Sequence, residues 1–254
     1  MENSILKDAI SEIARLSERS VQVREIGGSH YLFSDDEYKE IKPDPRPLPS
    51  AFWFSSLDGL VGTVKSELSD MLTATQSGGT LYITVKSPTQ VEAFTGLDAE
   101  NRRATVYAAS QKLPRSWNGE TWLDHEEAMI ALQSQFVPNE GTAYLLDFLS
   151  RVTDENSVSS DDNGVTQTVQ VKKGISLAGR EQVKPIVALR PYRTFLEIEQ
   201  PESAFLIRVR EGCRIGIIEA DGGMWQFAAR RSVKEYLEKA FEKEIGNGTI
   251  VVGM

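Results

Sequence analysis

Four short segments in the last third of the chain alternate apolar and polar residues in one register, and this alternation constrains the fold more than any other feature. The segments are Arg193–Glu199, Ala204–Arg210, Arg214–Ala220 and Met224–Ala229, with Gly- or Pro-containing turns between them. Because strand side chains alternate between the two faces of a sheet, a slip of one residue would exchange those faces. The pattern therefore predicts an antiparallel β-meander.

The predicted meander has one apolar face and one mixed face. The apolar face carries Thr194, Leu196, Ile198, Phe205, Ile207, Val209, Ile215, Ile217, Trp225, Phe227 and Ala229. The other face carries Arg193, Glu197, Glu199, Arg208 and Arg210 beside Phe195, Leu206, Ile218 and Met224. Downstream, Ser232 is the expected N-cap of a helix with an apolar stripe, formed by Val233, Tyr236, Leu237, Ala240, Phe241 and Ile245. We expect this helix to cover the sheet and Thr249–Val252 to form a last strand.

The preceding two thirds of the chain mix helical and strand patterns. Strands are predicted at Val21–Ile26, Tyr31–Phe33, Thr80–Lys86, Gln90–Phe94, Ala104–Ala109 and Val165–Val171. Helices are predicted at residues 5–16, at Leu57–Leu72 with Ser56 as N-cap, at Asp124–Phe136 and at Thr142–Val152. The fold class predicted for the whole chain is α+β, with the C-terminal antiparallel β-meander packed by a C-terminal helix, a helical middle segment and an N-terminal α/β portion.

Two segments indicate boundaries within the chain. Residues 42–49 contain four prolines, which interrupt regular structure because proline fixes φ and donates no backbone hydrogen bond. Residues 154–164 are rich in Ser, Asp and Asn and are expected to form an exposed loop. The predicted regions are residues 1–49 (helix, short strands and Pro-rich arm), 50–153 (an α+β portion) and 154–254 (meander plus helix). The last two are also compatible with one continuous domain.

Composition excludes several classes of protein. One cysteine, Cys213, cannot form an intramolecular disulfide, and two histidines leave little material for a zinc site. The N-terminal helix lacks the basic start and apolar block of a secretory signal, and no apolar run approaches the roughly 20 residues that span a bilayer. We therefore expect a cytoplasmic protein that has no membrane partner. A formal net charge of -9 opposes unaided wrapping of nucleic acid, although it leaves local basic patches open.

The sequence contains no complete catalytic motif. His125-Glu126 lacks the second His, four residues after the first, that a zinc-binding helix needs. Gly27-Gly28 and Gly78-Gly79 are turn glycines without the Lys and Ser/Thr of a phosphate-binding loop. Asp161-Asp162 lacks the spacing and terminal Glu of a calcium loop. We expect no catalytic residues, no metal and no cofactor.

Carboxylates of the meander offer one route to an enzyme. Glu197 and Glu199 would share one face of a strand, as ligands of a shared Mg²⁺ must, and Glu219 with Asp221 could complete a nuclease centre. The same face carries arginines, and opposite charges on neighbouring strands are an ordinary way to decorate an exposed sheet. Glu219 is expected at the wet edge of the sheet or, alternatively, as a partly buried carboxylate with a perturbed pKa.

Arginine and aromatic side chains offer a binding surface instead. Guanidinium groups beside an aromatic ring can grip phosphate or stack on a base, and the same combination suits a contact between subunits. The candidate binding residues are Arg190, Tyr192, Arg193, Arg208, Arg210 and Trp117, the last flanked by Lys112 and Arg115. Purely structural roles are the alternative for all of them, because Arg–aromatic pairs are common in folded proteins.

A series of landmarks over about residues 50–245 resembles a known family. They are His125-Glu126, residues 132–136, Leu145-Leu146, residues 161–167, residues 171–174, residues 189–195, Glu199-Gln200-Pro201 and residues 219–225. In order and layout they resemble a bacteriophage and prophage family of unknown function, the YfdQ-type prophage proteins. The resemblance implies a phage or prophage gene that acts in a bacterial cytoplasm, often near replication and recombination genes. It implies no activity and no catalytic residue.

These observations favour a non-enzymatic phage accessory protein that binds a host or phage macromolecule or self-associates as a homo-oligomer. Three alternatives stay open. The first is a replication or recombination accessory that binds DNA through local Arg clusters. The second is a metal-dependent nuclease or hydrolase that uses Glu197, Glu199 and Glu219. The third is an acidic inhibitor of a host defence factor.

Overall fold

The structure is a computed structural model that describes residues 7, 9–15, 21–34, 37–41, 47–74, 79–98, 101–152, 167–173, 177–210 and 213–254. Contacts divide the chain into two units, Met1–Leu48 and Pro49–Met254, and the boundary falls in the proline-rich segment. The smaller unit has a helical segment at residues 9–15 and an antiparallel sheet of β1 (Val21–Ile26), β2 (Ser29–Ser34) and β3 (Glu37–Ile41). The predicted first helix and first two strands are thus confirmed where they are described.

The larger unit builds its two main sheets from strands that are distant in sequence. Its strands are β4 (Phe52–Phe54), β5 (Leu81–Ser87), β6 (Gln90–Phe94), β7 (Thr105–Ser110), β8 (Glu120–Leu123), β9 (Gln167–Lys173), β10 (Leu177–Val183), β11 (Ile186–Leu189), β12 (Ser203–Arg210), β13 (Arg214–Glu219) and β14 (Ile250–Gly253). A five-stranded sheet has the order β14-β5-β6-β7-β4, with parallel pairs at both edges. A four-stranded antiparallel sheet has the order β11-β12-β13-β8, and β9 pairs with β10.

The described part of the larger unit has five helices, of which the first three begin at polar caps. They are α1 (Leu57–Ala74), α2 (His125–Ser134), α3 (Glu140–Arg151), α4 (Met224–Ala240) and the short α5 (Glu242–Gly246). Ser56 Oγ accepts a hydrogen bond from Gly59 N at 3.1 Å, as predicted for the N-cap of α1. Asp124 and Asn139 form capping boxes at the starts of α2 and α3. These three helices confirm the helical predictions.

Gly141 allows α3 to approach the four-stranded sheet. A Cβ at this position would lie 2.0 Å from the carbonyl oxygen of Ala188 in β11, far inside van der Waals contact. Glycine is therefore required here by the close approach of two backbones rather than by an unusual φ.

Two hydrophobic cores lie on the two main sheets. In the first, α2 and α3 pack on the four-stranded sheet, where Phe205, Ile207 and Val209 of β12 are at most 1% exposed. Ile215 and Ile217 of β13 are also 1% exposed, which confirms the predicted inward parity of these two strands. In the second, residues of α1 and α4 pack on one face of the five-stranded sheet.

The predicted strand Arg193–Glu199 is wrong, because Gln200 replaces the hydrogen bonds of a ladder. Gln200 Oε1 accepts from the backbone N–H groups of Arg193 at 2.8 Å and Thr194 at 3.2 Å. Gln200 Nε2 donates to the carbonyls of Phe195 at 3.0 Å and Ile198 at 3.1 Å. This loop buries Phe195 and leaves Leu196 67% exposed, the reverse of the predicted faces. On the side of β12 away from β13, the pairing strand is β11, which the sequence pattern did not reveal.

The predicted strand Met224–Ala229 is also wrong, since these residues form the first turns of α4, eight residues before the expected N-cap at Ser232. Gly222 and Gly223 adopt φ of 64° and 79° and redirect the chain after β13. Trp225 and Ala229 are buried at helical spacing, whereas Phe227 is 49% exposed. A stretch of six residues fits both the two-residue period of a strand and the 3.6-residue period of a helix, so the alternation alone could not distinguish the two structures.

The C-terminal helix and last strand exist as predicted but belong to the other sheet. Val233, Leu237 and Phe241 are buried in the core of the five-stranded sheet rather than over the meander. The predicted strand Thr249–Val252 corresponds to β14, which pairs in parallel with β5. The fold class is α+β, with a C-terminal antiparallel sheet and a C-terminal helix. The predicted loop at residues 154–164 lies outside the described residues.

In the part of the chain that the structure describes, no helix has both the length and the apolar character needed to cross a membrane.

Candidate functional site

Arg193 occupies the centre of a buried polar cluster, which we call the Arg193 hub and define as Arg193, Ser203, Glu219, Asp221 and Trp225. The arginine is 1% exposed. Its Nη1 donates to Glu219 Oε1 at 3.4 Å, and its Nη2 donates to the hydroxyl of Ser203. Its guanidinium carbon lies 4.1 Å from the ring centroid of Trp225. The hub thus gathers the start of β12, the end of β13 and the start of α4 around one cation.

Burial and the two carboxylates act on the charge of Arg193 in opposite directions. Burial lowers the pKa of Arg193 to about 10, while the negative charges of Asp221 and Glu219 favour its protonated form. The guanidinium therefore stays protonated at neutral pH. A buried pair of this kind is costly to break from one side, because the remaining charge has no compensation.

Asp221 connects the hub to the first turn of α4. Its carboxylate accepts from Ser203 Oγ at 2.6 Å, from Gly223 N at 2.9 Å and from Trp225 N at 3.3 Å. Burial alone would raise the pKa of Asp221, but the hydrogen bonds from Ser203 and Gly223 and the charge of Arg193 outweigh it and hold the pKa below its ordinary value. The sequence signal that could have located this helix start was an acidic residue just ahead of Gly222-Gly223.

A small cavity of about 130 Å³ lies against the hub and is called here the indole cavity. Its lining includes Thr89, Ser116, Trp117, Arg193, Trp225 and Gln226. Trp117 Nε1, Arg193 Nε and Trp225 Nε1 are buried N–H donors without a hydrogen-bond partner among the described residues. An unsatisfied buried donor costs about 1–3 kcal/mol, so each of these three side chains is held in place at a cost to stability.

The structure separates the three candidate carboxylates instead of bringing them to one metal. Glu197 Oε1 accepts from the backbone N–H groups of Leu57 at 2.7 Å and Asp58 at 3.2 Å, and so satisfies the start of α1. Glu199 pairs with Arg190, and Glu219 pairs with Arg193. The prediction that Glu197 and Glu199 share one strand face is wrong, since the segment is not a strand. Among the described residues no group of three or more His, Cys, Asp or Glu could hold a metal ion.

Tyr236 reinforces the contact between Glu197 and α1. Its hydroxyl donates to Asp58, in the first turn of that helix. Burial, this hydrogen bond and the charges of Asp58 and Glu197 together raise the pKa of Tyr236 well above its ordinary value. These groups hold the loop, α1 and α4 together, which is a structural role.

Arg190 and Tyr192 lie beside the hub but do not join it. Arg190 pairs with Glu202 and with Glu199, both at 3.1 Å. Tyr192 is half-buried, and its backbone N–H donates to the carbonyl of Gln135 at 3.0 Å. The predicted cluster at residues 190–193 is therefore divided. Arg190 makes two ion pairs near the surface, whereas Arg193 is the buried centre of the hub.

The other candidate binding residues lie on separate elements. Arg210 is exposed and covers the ring of Trp122 at 3.7 Å, with Glu120 at 3.9 Å. Arg208 is half-buried on the same strand. Trp117 is 1% exposed and packs on Phe136 with the ring centroids 4.6 Å apart. Of the predicted set, Arg193 and Trp117 share the lining of one cavity.

Sequence reasoning missed a second surface, on the five-stranded sheet. Strand partners share a face, and the registers place Tyr82, Phe94 and Trp53 on the side opposite the core that α1 and α4 cover. The rings of Tyr82 and Phe94 stack with centroids 5.7 Å apart, and Trp53 is 59% exposed. Arg103 lies over both stacked rings, at 5.1 and 5.4 Å. We call these four residues the aromatic face; the signal for it was the aromatic residues at the polar positions of β5 and β6.

No family model matches the chain, and no curated protein and no solved structure matches it either. The similarity to YfdQ-type prophage proteins therefore stays a prediction from the sequence landmarks.

Proposed function

We propose that this chain is a non-enzymatic accessory protein, encoded by a phage or prophage, that binds a macromolecular partner through the aromatic face. The observation that supports the proposal is the asymmetry of the five-stranded sheet. Helices α1 and α4 contribute to the core of one face, whereas Trp53 on the other face is 59% exposed. The proposed origin depends on the sequence resemblance alone.

An antiparallel sheet with one covered face usually presents polar side chains to water on the other face. On this sheet the second face carries, beside the polar pair Thr84 and Glu92, two stacked aromatic rings, an exposed Trp and an Arg. Trp, Tyr and Arg are the residues that most often dominate the energy of protein interfaces. A protein partner, or a second copy of this chain, is the occupant that this composition favours.

Strand β4 adds a second property that suits association. It lies at the edge of the sheet and pairs with β7 on one side. An edge strand presents backbone N–H and C=O groups that another strand can pair with, and proteins normally protect such edges with charge. Here Trp53, the middle residue of this edge strand, is 59% exposed.

Single-stranded nucleic acid is the second candidate partner, because Arg103 lies over the stacked rings of Tyr82 and Phe94. Aromatic side chains on a sheet can stack on bases of any sequence, and an arginine nearby adds attraction to the strand. The net charge of -9 opposes this candidate, so its binding would fall steeply with salt.

The metal-dependent nuclease has less support than either form of binding. Glu197, Glu199 and Glu219 each have a separate structural partner. The acidic inhibitor of a host defence factor is a special case of protein binding and would be found by the same experiment.

Neighbouring residues of β4 supply a matched pair of variants. Trp53→Ser removes the exposed ring of the aromatic face, and Phe52→Ser removes an equally exposed ring from the other side of the same strand. Both proteins and the wild type would be compared by sedimentation velocity, by anisotropy of labelled oligothymidylate at low and high salt, and as baits in bacterial extract. We expect one of these assays to detect association that Trp53→Ser reduces at least tenfold and Phe52→Ser leaves within a factor of two.

Association that Trp53→Ser leaves unchanged would contradict the proposed surface. Complete absence of association in all three assays would contradict the proposed function. Salt-sensitive binding of oligothymidylate would favour the second candidate over the first.

A further inference from the structure

The four-stranded sheet has a second face, opposite the core that α2 and α3 cover. The strand registers place a row of aliphatic side chains on this face, one on each of three neighbouring strands: Ile186, Leu206 and Ile218. Ile186 is 59% exposed, and the other two are half-buried. Beside the row, the same registers place three arginines: Arg208, Arg210 and Arg214. We call these six residues the arginine face.

The arginine face is positively charged, although the formal net charge of the chain is -9. Among the described residues, Glu120 of β8 is the one carboxylate that the strand registers place on this face, against three arginines. Arg210 and Arg214 are directly opposite each other on β12 and β13, where like charges repel. Arg210 lies 3.9 Å from Glu120, whereas Arg214 is exposed and has no ion pair in the described part of the chain. The face therefore favours a partner that brings negative charge.

The aromatic ring on this side of the sheet, Trp122, is not available to stack on a base. Three of its ring atoms would lie within 2.9 Å of a Cβ at Gly216, so one side of the ring packs on that glycine. The guanidinium carbon of Arg210 lies 3.7 Å from the ring centroid. Two groups cannot occupy the same side, so both sides of the ring are taken. Because the aliphatic row has no π system, the face lacks the stacking platform that single-stranded nucleic acid uses.

A groove of about 450 Å³ borders the arginine face where β12 begins. Ala204 of β12 forms part of its lining, and the first turns of α4 form another part. Helix α4 contributes two exposed apolar side chains and an exposed cation: Met224, Phe227 and Arg231. The carboxylates of the lining, Glu202 and Asp221, already have partners within the chain. The groove thus repeats the combination of apolar side chains with arginine.

The spacing of the aliphatic row fits a helix. Neighbouring strands lie about 4.8 Å apart, so the row extends about 10 Å across three strands. Side chains on one face of an α-helix recur every turn of about 5.4 Å, so three of them also extend about 10 Å. On an extended segment, side chains that share a face recur only about every 6.7 Å, which matches the row less well.

We propose that the arginine face binds an acidic amphipathic helix of a partner protein. The apolar stripe of that helix lies on Ile186, Leu206 and Ile218, and its carboxylates point towards the arginines on either side. The arginine face belongs to a different sheet from the aromatic face, so this inference goes beyond the proposed function and does not depend on it.

Fluorescence anisotropy with the full-length protein and a model helix tests the proposal. The probe is a helix-stapled, fluorescein-labelled peptide of about 18 residues, with a leucine stripe at helical spacing and glutamate and alanine elsewhere. One control peptide has the same composition in scrambled order, and a second has lysine in place of glutamate. We expect the acidic peptide to bind saturably and at least tenfold more tightly than either control, and its binding to weaken as salt is raised.

Two pairs of matched variants locate the binding surface. Arg214→Glu reverses an exposed charge on the face, and Lys239→Glu makes the same change of charge at an exposed position of α4. Ile186→Ser and Ile130→Ser each remove a similarly exposed isoleucine, at 59% and 56%, the first from the face and the second from α2. We expect Arg214→Glu to weaken binding of the acidic peptide at least tenfold and Ile186→Ser at least fivefold. Both controls should stay within a factor of two of the wild type.

Several results would overturn the proposal. The first is the absence of saturable binding of the acidic peptide, or equal binding of its scrambled form. The second is tighter binding of oligothymidylate or duplex DNA that Arg214→Glu abolishes, which would make the face a nucleic-acid surface. The third is a dimer in sedimentation velocity that Ile186→Ser converts to monomer, which would make a second copy of the chain the occupant.

Trp53→Ser separates this proposal from the proposed function. It should bind the acidic peptide as the wild type does, because Trp53 lies on the other sheet. Loss of peptide binding in Trp53→Ser would assign the peptide to the aromatic face and contradict a site on the arginine face.

Discussion

The Arg193 hub and the aromatic face both reverse the usual distribution of side chains, but in opposite ways. The hub buries a charged residue at 1% exposure, and the face leaves Trp53 59% exposed. Partners within the chain satisfy most of the hub: two carboxylates, a hydroxyl, a carbonyl and an indole ring. Nothing comparable covers the ring of Trp53 among the described residues. A buried charge or an exposed aromatic ring therefore indicates a binding site only where the protein's own residues leave that group without partners.

Replacing Arg193 should give the largest effect and test whether the hub is structural. In Arg193→Met, Glu219 and Asp221 lose the buried cation, and we expect the free energy of unfolding to fall by about 3–5 kcal/mol. Urea unfolding followed by tryptophan fluorescence measures this change, since all four tryptophans lie between residues 49 and 254. Arg210→Met, which removes an exposed arginine from β12, should cost less than about 1 kcal/mol. An equal loss of unfolding free energy in the two variants would contradict a structural role for the buried Arg193.

Asp221 should give an intermediate effect that depends on pH. Its folded pKa is lowered, so its contribution is complete above the ordinary carboxyl value near 4 and is lost as pH falls through the folded pKa. At pH 7 we expect Asp221→Asn to cost about 1–2 kcal/mol, because α4 loses its charged cap and one of the two acceptor oxygens that serve Ser203, Gly223 and Trp225 becomes an NH2 donor. The difference from the wild type in urea unfolding should shrink as pH falls from 5 towards 2. A difference that is constant over this range would contradict the assigned role of the charge.

Changes on the aromatic face should have the smallest effect on stability. Trp53→Ser removes an exposed ring at a sheet edge, and we expect the free energy of unfolding to change by less than about 0.5 kcal/mol. The same urea experiment measures it, with Phe52→Ser as the comparison. A loss above about 2 kcal/mol would show that Trp53 packs as a core residue does, and the contrast with the hub would disappear.

Elements whose pattern has one interpretation could be predicted from the sequence. Helices α2 and α3 carry apolar residues at helical spacing after a polar cap, and strand β12 alternates over its eight residues. Segments with two interpretations could not be predicted. Met224–Ala229 fits both periods, and the strand expected at Arg193–Glu199 is prevented by the hydrogen bonds of Gln200.

The sequence predicts two residues of the cavity lining as binding residues but does not predict their burial. The sequence pattern places Arg193 and Trp117 on an exposed binding surface, but both are buried and line one cavity. Trp225 was assigned to a strand and instead stacks under Arg193 from the first turn of α4. Contacts between segments this distant in sequence leave no local pattern, so composition and spacing could not reveal them.

The sequence by itself determined the local elements whose periodicity has one interpretation, and the inward parity of β12 and β13, because hydrophobic periodicity is a property of neighbouring residues. Tertiary structure decided which sheet each element joined: the C-terminal helix and β14 complete the five-stranded sheet, where β14 lies parallel to β5. It also decided which charges were paired and which aromatic rings stayed exposed. The physical reason is that burial, pairing and exposure depend on surfaces brought together over more than a hundred residues, and the free energy of those contacts is not encoded in any one segment.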